Sequence, residues 1–361
     1  MVAATPSADS DFASRSTRAL AFAGSFVVCL LAGGILAITL MGQGHGPSYT
    51  LELSEVAGAA APHGKAQSAA ASTRDSGPEP APPAAIGPIT QTLHAGRALL
   101  ADPALVQNTP QGPLPRIADD GRKPMTAYAA PASGAKKFKI AIMVGGLGVS
   151  ASATQSALAS LPPAVTLGFA PYAGDVGDWV RDARSRGHEV VLQIPMEPFD
   201  FPDSDPGPHT LRAGMTEEAN IDRLHWSLSR FTGYAGVTNL LGQRFLSDSA
   251  ALSPVLTELA RRGLYFLDNG TASQSVAPAT ATQVGLPAVQ SGGSLDSIQS
   301  ALEIDRRLLE LETQARANGS AVGSAFLYPV SVARIAAWAK GLESRGFVLV
   351  PVSAIVSAPK Q

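Results

Sequence analysis

Carboxylates and amides stand at the ends of several apolar runs in the second half of this 361-residue chain, and that is where chemistry is expected. Glu197 follows VVLQIPM, Asp268 closes LYFLD, and Asn239 and Arg244 lie within TNLLGQR. A carboxylate that ends an apolar strand needs a partner or a task, and Arg244 is the expected ion-pair partner of Asp268. With Gln193 and Tyr328 as neighbours, the candidate ligand-binding set is Gln193, Glu197, Asn239, Arg244, Asp268 and Tyr328, beside Asn269. Glu197 and Asp268 are the catalytic candidates. Two carboxylates can cleave a glycosidic bond when about 5–9.5 Å apart. Hydrolysis of an amide by carboxylates alone lacks the group that would polarise the carbonyl.

Metal ligands are scarce. Of six histidines, His45, His63 and His94 lie in the Pro-rich first third, His188 begins a strand, His225 sits on a helix, and His209 lies in a solvated loop. No pair has ligand spacing, and the one cysteine, Cys29, falls in an apolar run. Asp200, Asp203 and Asp205 offer oxygen ligands with Glu197. Prolines at 195, 198, 202, 206 and 208 mark that stretch instead as a stiff solvated loop. Gly145-Gly146-Leu147-Gly148 lacks the full pattern of a dinucleotide turn. No metal and no cofactor is expected. A net charge of −2 gives no basic face for nucleic acid.

The elements that must position these groups alternate. Short apolar strands are predicted at Lys139–Val144, Val165–Phe169, Glu189–Ile194, Ala235–Thr238, Leu264–Leu267, Ala321–Phe326 and Phe347–Val352. Helices lie between them: about 151–160, one carrying Val176, Val180 and Ala183, one N-capped by Thr216 with Glu217 and Glu218 in its first turn, and others starting near Pro254, Ile298 and Val332. Gly187, Gly263, Gly319 and Gly346 each end a helix and directly precede a strand, as left-handed C′ residues do. Such alternation implies parallel strands with right-handed crossovers. About seven units in one domain suit a barrel better than an open sheet.

Residues 19–42 (ALAFAGSFVVCLLAGGILAITLMG) carry no charge. As a helix they would span about 36 Å, enough for a hydrocarbon core of about 30 Å. This run exceeds the 7–15 apolar residues of a signal peptide core. Arg15 and Arg18 precede it, and the next basic residue is Lys65, which places residues 1–18 in the cytoplasm and the rest outside. Residues 43–135 hold thirteen of the 28 prolines, a composition that favours a disordered stalk. The folded domain is expected over 136–361.

Segments of that domain, in order, resemble the divergent polysaccharide deacetylase family: KIAIMVGGLGVS, PAVTLGFAPYAGD, GHEVVLQIPMEPFDFPDSDPGP, TNLLGQRF, GLYFLDNGTASQSVA and ESRGFVLVPVS. Gln193–Pro198 and Leu267–Thr271 are the most specific pieces. The resemblance implies a distorted (β/α)7 barrel of polysaccharide deacetylase type, an envelope location, a role in glycan metabolism and a site at the C-terminal strand ends. It also implies a metal site begun by an Asp-Asp pair on the first strand. Here those positions are Gly145 and Gly146. The family's later histidines correspond to Leu240 and to the segment Ala325-Phe326-Leu327-Tyr328-Pro329. The expected protein is therefore a single-pass inner-membrane protein with a periplasmic domain that has lost metal catalysis and binds envelope glycan or a periplasmic partner protein. The alternatives are an active deacetylase or other glycan hydrolase with an atypical carboxylate site, and a scaffold without ligand. Protease added to spheroplasts should digest the domain; protection in intact spheroplasts would overturn this topology.

Overall fold

In a computed structural model of the chain, the described residues are 101–132 and 138–356, all within one compact unit, Pro83–Gln361. The expected anchor at 19–42 and the stalk up to residue 100 lie outside the described residues. No helix among the described residues is long and apolar enough to cross a membrane.

Seven parallel strands make a near-closed barrel. They are β3 (Phe138–Leu147), β4 (Thr166–Phe169), β5 (Val190–Met196), β6 (Gly236–Leu241), β7 (Tyr265–Asp268), β8 (Ala288–Gln290) and β9 (Ser320–Phe326). Neighbours pair in that order, and β9 returns to β3 in register from Lys139↔Ser320 to Gly145↔Phe326. Between β8 and β9 the ring is completed by the residues after β8: Gly292 N donates to Val322 O (2.8 Å) and Leu295 N to Ser324 O (2.7 Å). Ala141, Met143, Val191, Tyr265, Leu267 and Val322 fill the interior. Ile140, Ile142, Val190, Leu192 and Phe266 face outward into a larger cluster with the helices. This two-sided burial explains why the strands read as continuous apolar runs.

Two strands differ from expectation. Ala288–Gln290 is a ring member that the sequence did not reveal, being three residues long. Conversely, β10 (Phe347–Leu349) is no ring member. It pairs only with Phe138–Ile140, the lower part of β3, whose upper part pairs with β4 along the same edge. The glycine junctions are as predicted, with φ of +89°, +69°, +81° and +89° at Gly187, Gly263, Gly319 and Gly346.

The helices are α1 (Pro124–Ala127), α2 (Ala151–Ser160), α3 (Val176–Ser185), α4 (Glu217–Leu228), α5 (Ser249–Arg261), α6 (Ala277–Val284), α7 (Ala301–Asn318) and α8 (Pro329–Lys340). Thr216 caps α4 as expected, its hydroxyl accepting from Ala219 N. The start of α5 is five residues earlier than Pro254 suggests, because the Asp248 carboxylate accepts from both Ala250 N and Ala251 N. Likewise α7 and α8 begin at Ala301 and Pro329, a few residues from Ile298 and Val332.

The expected stalk boundary at residue 135 is corrected, because residues 101–132 are folded. Val106–Thr109 (β1) and Gly112–Pro115 (β2) form an antiparallel hairpin, and α1 follows. Leu105, Ala118 and Tyr128 join the cluster that fills the barrel interior. Hydrogen bonds fasten the segment to the N-terminal end of the barrel: Met125 N to Gly263 O (3.0 Å), Arg262 Nη1 to Pro115 O (3.0 Å) and Ala130 N to Glu189 Oε2 (3.4 Å). The Arg184 guanidinium lies over the Tyr128 ring. Apolar burial drives this docking despite the proline content.

Leu105 separates a docked segment from a solvated one. Leu105→Ala should cost about 2–5 kcal/mol in denaturant unfolding, whereas a change within ±0.5 kcal/mol, as for surface sites, would restore the stalk boundary at 135.

Candidate functional site

The C-terminal ends of the strands carry the candidate residues, and β3 sets their arrangement. At its end Gly145 and Gly146 leave space that other side chains occupy. Gln193, on β5, is buried and accepts a hydrogen bond from Gly146 N at 2.6 Å through Oε1. A Cβ on Gly145 would lie 2.6 Å from its Nε2. A Cβ on Gly146 would lie 2.7 Å from Cε1 of Phe326, at a φ of +88° that side-chain-bearing residues rarely adopt. The end of the first strand is thus filled by an amide and a phenyl ring.

Phe326 is held there by a residue that sequence reasoning missed. Asp296, buried in the loop after β8, accepts from Phe326 N (2.7 Å), Ser331 Oγ (2.7 Å) and Ser294 Oγ (2.8 Å). Nothing in the local pattern SGGSLDS distinguishes it from a solvated loop aspartate. Tyr328 lies next to Phe326, ring centroids 5.5 Å apart, and is half-buried at the start of α8.

Asn239 and Asn269 interlock across β6 and β7. Asn239 Nδ2 donates to Asn269 Oδ1 (2.9 Å), Asn269 N to Asn239 Oδ1 (2.9 Å), and Asn269 Nδ2 to Asn239 O (2.9 Å). Asn269 Oδ1 also takes Thr271 Oγ1 and N. Both amides are largely spent on each other, so they fix the loop after β7.

Asp268 is corrected in two respects. Its neighbour Leu267 faces the barrel interior while Phe266 faces the helices, so alternation turns Asp268 outward. There it is 1 % exposed, with Oδ1 accepting from Gly270 N (2.9 Å) and Oδ2 from Gln290 Nε2 (3.1 Å). Nor does it pair with Arg244. That arginine faces Glu197 instead, Nη1 to Oε1 at 3.7 Å. Glu197 is buried after β5, and its Oε2 accepts from Ala213 N at 2.8 Å. Among the six candidates the one ion pair is Glu197 with Arg244, and no hydrogen bond joins the side chains of any two of them. Gln193 and Tyr328 belong to the β3 end, Asn239 to the asparagine interlock, Asp268 to the outer face of β7, and Glu197 with Arg244 to a separate loop cluster.

Among the described residues, the three histidines form no cluster. His188 is buried at the opposite end, its Nδ1 2.9 Å from Val165 O, and burial holds its pKa below the ordinary value. His225 contacts Glu258 at 2.7 Å between α4 and α5. His209 is not simply solvated: it stacks flat on Trp226, centroids 3.6 Å apart. Desolvation, with Arg223 and Arg230 adding to it, lowers its pKa. Among the described residues no three His, Cys, Asp or Glu side chains gather as a metal-binding group. The amide, phenyl and phenol at the end of β3 do not fit a zinc ion, which takes carboxylate, imidazole or thiolate donors.

Comparison with known proteins follows the same stretch. The family model for the divergent polysaccharide deacetylase matches residues 142–356. YibQ of Escherichia coli is 27% identical over 195 residues, 54% of this chain and 60% of its own length. A Haemophilus influenzae protein is 24% identical over 204 residues, covering 56% of this chain and 72% of its own. The matched part thus spans less than two thirds of YibQ. The crystal structure of ATU2773 from Agrobacterium tumefaciens is 45% identical, with a TM-score of 0.67, covering 68% of this chain and all of that one.

Gly146→Asp tests the filled strand end. The left-handed φ and the Phe326 contact should together lower stability by about 2 kcal/mol or more. Phe326→Ala in that background should recover only the steric part. A Gly146→Asp protein as stable as wild type would mean that Phe326 does not occupy the space.

Proposed function

The chain belongs to the divergent polysaccharide deacetylase family, and on that premise we propose that its barrel binds envelope glycan without metal-dependent hydrolysis. One observation carries the reading: Gln193 and Phe326 occupy the positions into which side chains at 145 and 146 would project. A catalytic zinc is held by about three protein ligands with one open position. The segment holding Phe326 and Tyr328 supplies neither imidazole nor carboxylate, and Leu240 replaces a third expected histidine. What remains at the strand ends is a set of neutral polar groups and aromatic rings, a surface chemistry that suits sugars.

A carboxylate-only hydrolase is less well supported. Asp268 has both oxygens engaged on the outer face of β7, which leaves Glu197 without a second acid beside it among the assigned contacts. The uncharged run 19–42, with Arg15 and Arg18 before it, supports a single-pass inner-membrane anchor that holds the barrel in the periplasm. A partner protein is the other candidate occupant of the strand-end face.

The purified chain should contain no stoichiometric transition metal and release no acetate from N-acetylglucosamine or peptidoglycan oligomers. One zinc per chain by elemental analysis, or acetate release that depends on added metal, would overturn the proposal in favour of an active deacetylase.

A further inference from the structure

A groove of about 590 Å³ runs beside the barrel mouth, lined by Phe199, Ala213, Gly214, Arg244, Ser247 and Ser249 together with Asp248. Its size falls in the range of small-molecule sites, about 300–1,000 Å³. Phe199 presents an unusual amount of apolar surface to it, being 61 % exposed. Arg244 is the second unspent group. Its side chain is 52 % exposed, and its guanidinium has only the 3.7 Å contact with Glu197, beyond hydrogen-bond length. A guanidinium carries five N–H donors in a fixed plane, and in this residue, which lines the groove, nearly all of that capacity is unspent.

The backbone holds Arg244 in place firmly although its head is free. Arg244 N and Phe245 N both donate to Glu197 O at 3.1 Å, and Glu197 N donates to Leu211 O at 2.9 Å. Glu197 Oε2 is bound to Ala213 N. The loop after β5, the residues at 211–214 and the turn after β6 are thereby fastened around one glutamate. The backbone that carries the arginine is thus fixed, so that only the side chain has to be ordered on binding.

Charge decides the ligand class. Arg244 faces Glu197, the groove lining adds one further carboxylate, Asp248, which caps α5, and the N-terminus of α5 adds only about half a positive charge. These contributions nearly cancel, so the groove offers no net attraction to an anion. It offers an apolar ring face, a fork of donors and the hydroxyls of Ser247 and Ser249. A pyranose ring has the complementary surfaces, a C–H face and an edge of vicinal hydroxyls.

We propose that this groove is a subsite for one neutral sugar ring, with Phe199 against the C–H face and Arg244 donating to adjacent hydroxyls. The proposal rests on the glycan-binding reading and adds where, and to which class of sugar, the domain binds. It lies apart from the filled end of β3.

The test is calorimetric titration of the full chain with neutral tetramers of glucose and of N-acetylglucosamine, and with a galacturonate tetramer. Wild type should bind at least one neutral tetramer, and more tightly than the galacturonate. Phe199→Ala and Gly214→Trp should each weaken binding at least tenfold with unchanged melting temperature. Gly214→Trp is the decisive variant, because a Cβ there meets nothing within 4 Å and the indole would enter the groove while the Glu197–Arg244 pair stays intact. Arg244→Ala should weaken binding too, but it strands a buried carboxylate and lowers stability as well. Neutral-tetramer binding that survives both Phe199→Ala and Gly214→Trp overturns the groove assignment and leaves the glycan reading standing. Wild type that binds none of the tetramers overturns both. Tighter binding of galacturonate overturns the neutral class.

Discussion

The backbone at the end of β3 is in contact with the Gln193 amide and the Phe326 ring, and the upper half of the barrel is arranged around that contact. Side chains at 145 and 146 would collide with both groups, and the left-handed φ at Gly146 would strain any residue but glycine. The two positions therefore act together with their occupants. Gln193 stays buried because Gly146 N gives it a hydrogen bond, and Asp296 stays buried because Phe326 N, Ser294 and Ser331 satisfy it. Each polar group is retained inside by the one it binds, as burial without a partner would cost about 1–3 kcal/mol.

The opposite end of the barrel follows the same rule. Glu189 is fully buried there, and its oxygens accept from Tyr265 OH (2.9 Å), Ser353 N (3.1 Å), Thr166 Oγ1 (3.2 Å) and Ala130 N. Those donors come from two strands, β4 and β7, from the turn at Val352–Ala354 and from the segment before β3. Burial and the adjoining Glu189 carboxylate raise the Tyr265 pKa, so its phenol remains a donor. The floor thus couples residues 101–132 to the ring.

Between these ends the polar residues sort by what they must satisfy. The asparagines at 239 and 269 spend their amides on one another, Asp268 spends its oxygens on Gly270 and Gln290, and the histidines pack or pair between helices. Arg244 differs from these: it is a cation half in solvent, 3.7 Å from its Glu197 partner, with Phe199 lining the same groove. Unspent hydrogen-bonding capacity in a concave place distinguishes a binding group from a structural one better than residue type does.

The linear pattern by itself determined a great deal. Alternating apolar runs and amphipathic stretches, with Gly187, Gly263, Gly319 and Gly346 directly ahead of strands, specified parallel β/α units, and the family resemblance favoured a barrel over an open sheet, because helix ends and buried strands leave local signatures in residue type and spacing. That Gly145, Gly146, Leu240 and Phe326 offer neither carboxylate nor imidazole was equally legible, since it is a matter of identity alone. Only the tertiary structure decided what filled the space beside Gly145 and Gly146, which carboxylate faced Arg244, that Asp268 turned outward, and that Ala288–Gln290 joined the ring in place of Phe347–Leu349. It also decided that residues 101–132 docked rather than stayed solvated. Each of these depends on contacts between residues far apart in the chain, such as Gln193 with Gly146 or Leu105 with the barrel interior. Pair contacts of that kind have no period and no fixed spacing, so a reading of one strand or loop at a time does not contain them.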